Sequence, residues 1–393
     1  MKEQKPLFFQ KLLHLVKMEA VLCIAGAAVA ASMFFTPPTL DYLTYVDFRV
    51  LALLFCLMAV VAGAGETGLF LKLSERLLNR CKNTRALIFI LVLLCFFTSM
   101  WITNDVALIT FVPFAILLLT MAGQERHLIF TIVGQTIAAN LGSMLTPVGN
   151  PQNLFLFTYY RYSLWDFIQT TLPITLVSLG LLFTILLFVR GEPLKIKAQE
   201  ADATENTLRL CMVKSEPLQV KKEVKLTLLY FLLFILCLLC VLRILDYRIT
   251  FLIVFLAILI FDRGILKKVD YSLLLTFLCF FLFVGNIGQI SAARDFLGGL
   301  LDGRELPVAV LLSQIISNVP AAILLSSFTE NSKALLLGTN LGGLGTLVAS
   351  LASLISFKYY CRLEGARPLR YLGIFTLYNL LFLALLSIFV MLL

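Results

Sequence analysis

Long apolar runs, separated by short basic stretches, dominate the chain. The runs fall at about residues 18–36, 48–66, 86–121, 127–160, 167–189, 224–245, 249–262, 270–288, 305–328, 334–358 and 370–393. A run of about 20 apolar residues is long enough for a helix to cross a bilayer. Transmembrane β-barrels instead show alternating segments of about ten residues. The pattern therefore predicts an all-α polytopic membrane protein.

One long polar stretch, residues 190–225, divides the chain near its centre. It is charged and poor in aromatic side chains, which is typical of a solvated linker. We predict a first transmembrane repeat over residues 1–189, a cytoplasmic linker over 190–225, and a second transmembrane repeat over 226–393 with one extra helix at its start.

The composition excludes a soluble protein. Hydrophobic residues make up 60% of the chain, and 14% are charged, against about 25% in soluble domains. The net charge of +9 does not indicate a nucleic-acid partner, because basic residues in membrane proteins chiefly set orientation. The nine cysteines lie mostly inside apolar runs, which argues against a disulfide framework or a zinc site.

The two halves of the chain are similar to each other. Residues 140–160 and 340–360 share nine identities in 21 positions, among them Asn-Leu-Gly and a Tyr-Tyr pair. Two further blocks align in the same order, with Asp47 on Asp270 and Asn104 on Asn318. Apolar composition alone does not produce matching Asn, Gly and Tyr pairs, so the sequence predicts an internal duplication.

The basic residues indicate the orientation. We take the N-terminus as cytoplasmic, runs 86–121 and 305–328 as re-entrant hairpins, and the other nine runs as single crossings. The cytoplasmic side then holds 25 of the 32 Lys and Arg, and the outside holds 7, as the positive-inside rule expects. The extra helix inverts the second repeat, inverted repeats are typical of transporters, and the C-terminus falls outside. Run 86–121 is also long enough for two tight crossings.

Two polar breaks interrupt the apolar runs, and each occurs twice. Thr103-Asn104-Asp105 corresponds to Ser317-Asn318-Val319-Pro320, and residues 142–153 correspond to 342–353. A helix can break inside a bilayer only where protein or a water-filled cavity surrounds it. Broken helices free carbonyls for a cation and direct half-helix N-termini at an anion. A single break is also explained by a capped turn or a proline kink, and the duplication favours a site.

Few ionisable groups lie within the predicted spans. Asp105 is the one acid expected deep in the membrane, where it could carry a proton or hold a cation; the alternative is a half-helix cap satisfied by backbone amides. We interpret Glu66 as an interfacial cap. The two histidines, His14 and His127, assemble no HExxH motif, and no Walker A motif is present, so we expect no enzymatic activity.

At these breaks the chain resembles the ion transporter superfamily, which includes citrate transporters, divalent anion:sodium symporters, arsenite permeases and certain sodium/proton antiporters. The matching segments are 103–107, 140–153, 317–321 and 338–353. The resemblance implies a scaffold and an elevator-like transport domain, often in a homodimer. It also implies two re-entrant hairpins and two unwound helices whose tips meet at one site. These add to the about nine crossing helices that the apolar runs predict.

The resemblance also implies the site residues. In the dicarboxylate branch each hairpin tip reads Ser-Asn-Thr and binds sodium and substrate carboxylates. The implied substrate-binding residues are Thr103, Asn104, Asn150, Asn153, Ser317, Asn318, Ser350 and Ser353. The implied cation-binding or coupling residues are Asn104, Asp105, Gly149, Asn318 and Ala349, with sodium at Asn104 and Asn318.

The tips depart from that branch at their third positions, Asp105 and Val319, and residues 349–353 lack both prolines of its unwound helices. The Asn-Asp-Val-Ala sequence looks more like the arsenite permease and antiporter branches. Without a basic residue at the predicted site, recognition would fall to helix N-termini, amides and hydroxyls. That chemistry also fits a neutral oxyacid such as arsenite.

We therefore expect a permease, a secondary active transporter that moves a small carboxylate or inorganic oxyanion across a bacterial inner membrane by alternating access. The coupling ion would be sodium or a proton, with no other cofactor, and membrane lipid would surround the chain. The alternatives are a sodium/proton antiporter of the same fold, an arsenite efflux permease and, less favoured, a passive channel. An ATPase subunit would leave no motif in this chain and stays open as a partner.

Overall fold

The computed structural model describes residues 19–67, 81, 83–193 and 224–392. These residues are largely helical, and none of them forms a β-strand. The helices are α1 (Ala20–Ser32), α2 (Tyr42–Tyr45), α3 (Phe48–Glu66), α4 (Thr84–Ile102), α5 (Asn104–Met121), α6 (Leu128–Gly142), α7 (Pro151–Tyr159), α8 (Leu164–Leu187), α9 (Val224–Val241), α10 (Tyr247–Phe261), α11 (Tyr271–Gln289), α12 (Ser291–Leu301), α13 (Glu305–Ile316), α14 (Asn318–Ser326), α15 (Ser332–Leu341), α16 (Leu351–Cys361) and α17 (Pro368–Met391).

Seven helices within the described ranges are long and apolar enough to cross a membrane. They are α3, α4, α5, α6 with its flanking turns, α8, α11 and α17. The prediction of an all-α membrane protein is confirmed. Run 86–121 divides at Thr103 into α4 and α5, of 19 and 18 residues. The chain therefore breaks at Thr103 whether the run is a re-entrant hairpin or two crossings.

Aspartate and asparagine side chains fix where several helices begin. The Asp47 carboxylate accepts a hydrogen bond from the Val50 amide (3.1 Å) at the start of α3, and Asp270 accepts one from the Leu273 amide (2.9 Å) at the start of α11. Such N-caps stabilise a helix by about 1 kcal/mol. The alignment of Asp47 with Asp270 therefore has a structural explanation.

The buried apolar side chains form two clusters. The first contains side chains of α1, α3, α9, α10 and α11, and the second contains side chains of α4, α5, α6, α8 and α17. Helix α7 packs within the first cluster and α16 contributes to the second. Gly63 of α3 lies directly against the Tyr230 ring of α9, where any Cβ atom would overlap the ring.

The predicted division of the chain is described only in part. Of the linker 190–225, residues 194–223 lie outside the described residues, as do residues 1–18 and most of the basic segment 72–85. Arg85, near the start of α4, donates from Nε to the carbonyl of Val189, which lies just after α8 (2.6 Å). The start of α4 and the end of α8 thus lie at the same end of the molecule.

Candidate functional site

The two predicted hairpin tips have the same unusual backbone conformation. Thr103 has φ 70° and ψ 150°, and Ser317 has φ 75° and ψ 155°. This region of φ/ψ space is nearly restricted to glycine, and a residue held in a sparsely populated region costs about 1–3 kcal/mol. Strain at two corresponding positions, each carrying a hydroxyl side chain, makes these residues candidates for a functional role.

Each tip contacts the unwound segment of its own half. The Asn104 amide donates to the Gly149 carbonyl (3.0 Å), and the Asn318 amide donates to the Ala349 carbonyl (3.0 Å). A carbonyl oxygen has two lone pairs, so Gly149 and Ala349 each keep capacity for a further ligand. The same contact therefore occurs once in each half.

Asn140 of α6 joins the two halves. Its Oδ1 accepts from Asn104 Nδ2 (3.0 Å) and from Ser350 Oγ (3.1 Å). Its Nδ2 donates to the Gly343 carbonyl (3.3 Å). Gly343 in turn lies against the Asn318 amide, since an added Cβ would come within 3.0 Å of Asn318 Nδ2. Asn104 and Ser350 therefore meet at one buried asparagine, and Asn318 lies beside its third partner, Gly343.

Asn340 of α15, in the second half, binds two residues of the first half. Its Oδ1 accepts from Asn150 Nδ2 (3.3 Å), and its Nδ2 donates to Asn153 Oδ1 (2.7 Å). Asn140 and Asn340 were not among the residues predicted for the site. The signal that could have found them was the repeated Asn-Leu-Gly, whose asparagines are these two residues.

The remaining predicted residues lie in the same region with different exposure. Asn150 caps α7 by accepting from the Asn153 amide (3.0 Å). Asn153 is fully buried, and its Nδ2 donates to the carbonyls of Ser143, Met144 and Thr146. Ser353 is also fully buried, and among the described residues its hydroxyl has no hydrogen-bond partner. Thr103 and Asp105 are half-buried.

A cavity of about 430 Å³, the lower cavity, reaches this network. Thr103, Asp105 and Asn150 line it, together with apolar side chains of α3 and α16. Lys268 and Lys358 also line the lower cavity, and Lys268 forms an ion pair with Glu66. Lys358 lies seven residues after the first residue of α16, about 10 Å along its axis. The volume of the lower cavity is typical of a small-molecule site.

A second cavity of about 560 Å³, the upper cavity, lies past Phe155 along α7. Arg49, Tyr159 and Tyr247 line it. Along α7, Pro151 and Leu154 line the lower cavity, whereas Phe155 and Tyr159 line the upper one. The same order holds along α11, where residues up to Thr276 line the lower cavity and Phe281 lines the upper one.

Three phenylalanines, the aromatic partition, separate the two cavities. The Phe155 ring centroid lies 6.5 Å from that of Phe277 and 5.8 Å from that of Phe281. All three side chains are buried. The site residues Thr103, Asp105 and Asn150 therefore line the lower cavity and not the upper one.

The donor atoms at the site suit a hard monovalent cation. Within the described part of the chain, no group of three His, Cys, Asp or Glu residues is arranged to hold a metal. The tips and unwound segments instead offer amide and backbone oxygens, such as Asn104 Oδ1, which accepts from the Asp105 amide (3.0 Å). Hard cations prefer oxygen ligands of these types, so the residues fit sodium.

The family model for citrate transporters, CitMHS, matches residues 9–341. The chain belongs to the citrate transporter family. The prediction of a member of the ion transporter superfamily is confirmed, and the protein is an integral membrane transporter.

Similar proteins occur in Methanocaldococcus jannaschii, Escherichia coli and Oryza sativa. The chain is 33% identical over 315 residues to an uncharacterized transporter of Methanocaldococcus jannaschii, covering 80% of this chain and 81% of the relative. It is 28% identical over 352 residues to the inner membrane protein YbiR of Escherichia coli, covering 86% of each. It is 30% identical over 168 residues to a silicon efflux transporter of Oryza sativa, covering 42% of this chain and 34% of that protein.

Proposed function

We propose that this member of the citrate transporter family is a secondary active transporter of a small anion, coupled to sodium or protons. The observation that carries the proposal is the reciprocal pairing of the two halves: Asn140 binds Asn104 and Ser350, while Asn340 binds Asn150 and Asn153. A site assembled from both halves changes when one half moves relative to the other. This is the requirement for alternating access.

The chemistry of the site supports an anion as the substrate. Helices α5, α7, α14 and α16 all begin at the tips or at the unwound segments. Helix N-termini carry a partial positive charge and free N–H groups, which bind anions without a basic side chain. The hydroxyls of Thr103 and Ser317 and the amide of Asn150 would supply orienting hydrogen bonds.

The proposed topology is a pair of inverted repeats with a cytoplasmic N-terminus in a bacterial inner membrane. Its support lies in contacts between segments expected on the same side. Arg126 pairs with Glu192, and Lys268 pairs with Glu66. Of the segments expected outside, Arg243 donates to the carbonyl of Arg161 (3.2 Å). In this arrangement the lower cavity opens to the cytoplasm.

The first test is a thermal-shift screen of the purified protein with citrate, succinate, sulfate, phosphate and arsenite, each with and without sodium. A ligand at 100 times its Kd stabilises the folded state by about 2.7 kcal/mol. We expect one anion to raise the unfolding temperature in a cation-dependent way. The shift should disappear in Asn104→Ala and in Asn318→Ala, which remove the central amides of the two tips.

Asn286→Ala is the matched control for both variants. Asn286 is a fully buried asparagine of α11 that donates to Ser32 Oγ (2.8 Å) and Tyr42 Oη (2.9 Å), away from the tips. It should lower stability and keep the anion-dependent shift. If no anion shifts the wild-type protein while sodium or pH alone does, the anion proposal is wrong.

The second candidate function is sodium/proton antiport, favoured by the position of Asp105. This carboxylate follows Asn104 at the tip and lines the lower cavity. For an anion symporter, we expect Asp105→Asn to retain the anion-dependent thermal shift and anion uptake, with altered dependence on pH, because the tip amides remain. An antiporter should lose both transport and its pH dependence. Uptake into proteoliposomes at several pH values separates the two, with Asp47→Asn, which removes the charge of the helix cap at the upper cavity, as the control.

A further inference from the structure

Gln314, in the last turn of α13, holds the unwound segment of the second half. Its Nε2 donates to the carbonyls of Gly342 (3.0 Å) and Leu344 (2.9 Å), and its Oε1 accepts from the Thr346 amide (2.9 Å). A longer contact joins Nε2 to the Val310 carbonyl of its own helix (3.2 Å). One half-buried side chain therefore binds three backbone groups of a segment that is not helical.

A line of hydrogen bonds connects Gln314 with the tip at Ser317. The Thr346 amide and hydroxyl both bind Gln314, the hydroxyl donating to its carbonyl (3.2 Å). The Thr346 carbonyl accepts from the Ala349 amide (3.2 Å). The Ala349 carbonyl then accepts from the Asn318 amide (3.0 Å) and from the Ser317 hydroxyl (3.3 Å). A displacement of Thr346 would therefore shift the Ala349 carbonyl relative to the tip.

The first half holds its unwound segment in a different way. There the Asn153 amide of α7 donates to three carbonyls of the segment. Ser353 aligns with Asn153, and among the described residues its buried hydroxyl has no hydrogen-bond partner. Met100 aligns with Gln314. The second half thus lacks the amide that follows its unwound segment, and Gln314 supplies one from the helix before the tip.

Gly345 makes room for the Gln314 side chain. Its φ of 107° favours glycine, and a Cβ atom at this position would overlap Gln314 Oε1. Leu145 occupies the aligned position in the first half. The two halves therefore differ together at the glutamine and at the glycine beside it, which indicates that the two residues act as a pair.

We propose that Gln314 is a positioning residue of the transport site. It fixes the second unwound segment to α13, and this attachment keeps the Ala349 carbonyl at the tip and the Ser350 hydroxyl on Asn140, to which Ser350 donates (3.1 Å). Gln314 acts through the backbone of the segment rather than by binding the anion itself. The inference rests on the proposed function for what the site binds.

The first test measures hydrogen exchange of the purified full-length protein by mass spectrometry, without any anion. Gln314→Met keeps the length of the side chain and removes its hydrogen bonds. We expect peptides covering residues 342–349 to exchange about tenfold faster in this variant. Gln135→Met is the control, because Gln135 is a fully buried glutamine that donates to the carbonyls of Leu91 and Phe111 in the first half. It should leave exchange in residues 342–349 unchanged.

The second test asks whether the attachment serves binding. The probe is whichever of citrate, succinate, sulfate, phosphate and arsenite stabilises the wild-type protein. In Gln314→Met we expect its half-saturating concentration to rise about tenfold in thermal shift and in uptake, with a smaller change in the maximal uptake rate. Gln135→Met should keep the wild-type concentration. If none of the probes binds the wild type, the anion proposal fails, while hydrogen exchange still decides whether Gln314 holds the segment.

Gln314→Glu is the second variant, in case Gln314→Met does not fold. It keeps an acceptor for the Thr346 amide, but an ionised carboxylate cannot donate to the Gly342 and Leu344 carbonyls, so we expect both effects again. Wild-type exchange of residues 342–349 in a folded variant would show that Gln314 does not hold the segment. Faster exchange with unchanged affinity for a probe that binds the wild type would limit Gln314 to backbone stability. Either result would overturn the proposal.

Discussion

Replacing Asn140 with alanine is expected to abolish anion binding and to lower the free energy of unfolding by several kcal/mol. The side chain accepts hydrogen bonds from Asn104 and Ser350 and donates one to the Gly343 carbonyl. Its loss leaves three buried polar groups without this partner, and each such group costs about 1–3 kcal/mol. Thermal unfolding with and without the anion, together with uptake into proteoliposomes, measures both effects.

Stability loss and site loss must be distinguished for this variant. Asn286→Ala removes another buried asparagine with two hydrogen-bonded partners but lies away from the tips. Asn340→Ala removes the asparagine that binds Asn150 and Asn153, and it should behave like Asn140→Ala. Anion uptake at the wild-type rate in a folded Asn140→Ala protein would contradict the assignment of this residue to the site.

Replacing Phe155 with alanine is expected to convert coupled transport into a leak. Phe155 is 2% exposed and packs against Phe277 and Phe281 in the aromatic partition between the two cavities. Truncation removes the largest part of that barrier and costs about 3–5 kcal/mol of stability. The measurement is efflux of anion from preloaded proteoliposomes in the absence of any gradient of the coupling ion.

Phe375→Ala is the control for the Phe155 variant. Phe375 is fully buried in α17 and stacks on Tyr371, with ring centroids 6.0 Å apart, and it lines neither cavity. It should lose comparable stability without a leak. If Phe155→Ala leaks no faster than Phe375→Ala, the aromatic partition is not the barrier between the two sides.

Hydroxyl residues occupy the two tip positions where glycine would fit the backbone better. Glycine would adopt the backbone of residues 103 and 317 without strain, yet the chain has threonine and serine there. The Ser317 hydroxyl donates to the Ala349 carbonyl (3.3 Å), and Thr103 lines the lower cavity. Retaining these side chains at an energetic cost is consistent with a direct role in binding.

Much of the fold could be predicted because its cause is local. Within a bilayer each backbone N–H and C=O must be paired, so apolar runs form helices and polar interruptions mark their breaks. The breaks at Thr103 and Ser317 followed from this rule, and the duplication of Asn140 at Asn340 indicated two related halves. The caps at Asp47 and Asp270 were also visible as an aligned pair.

Contacts across the halves could not be predicted in the same way. Asn140 and Ser350 are 210 residues apart, and Asn340 and Asn153 are 187 residues apart. Hydropathy does not specify which distant amides will meet, because that depends on the packing of whole helices. The sequence therefore located the tips but missed the two asparagines that join them.

The class of this protein and the positions of its polar breaks were predictable from the amino-acid sequence alone. These features follow from the solvation of apolar side chains and the hydrogen bonding of the backbone, which act within one segment. The sequence does not reveal which distant side chains meet: Asn140 with Asn104 and Ser350, Asn340 with Asn150 and Asn153, and Phe155 with Phe277 and Phe281. Each of these depends on side chains from segments far apart in sequence, which only the packed helices bring together.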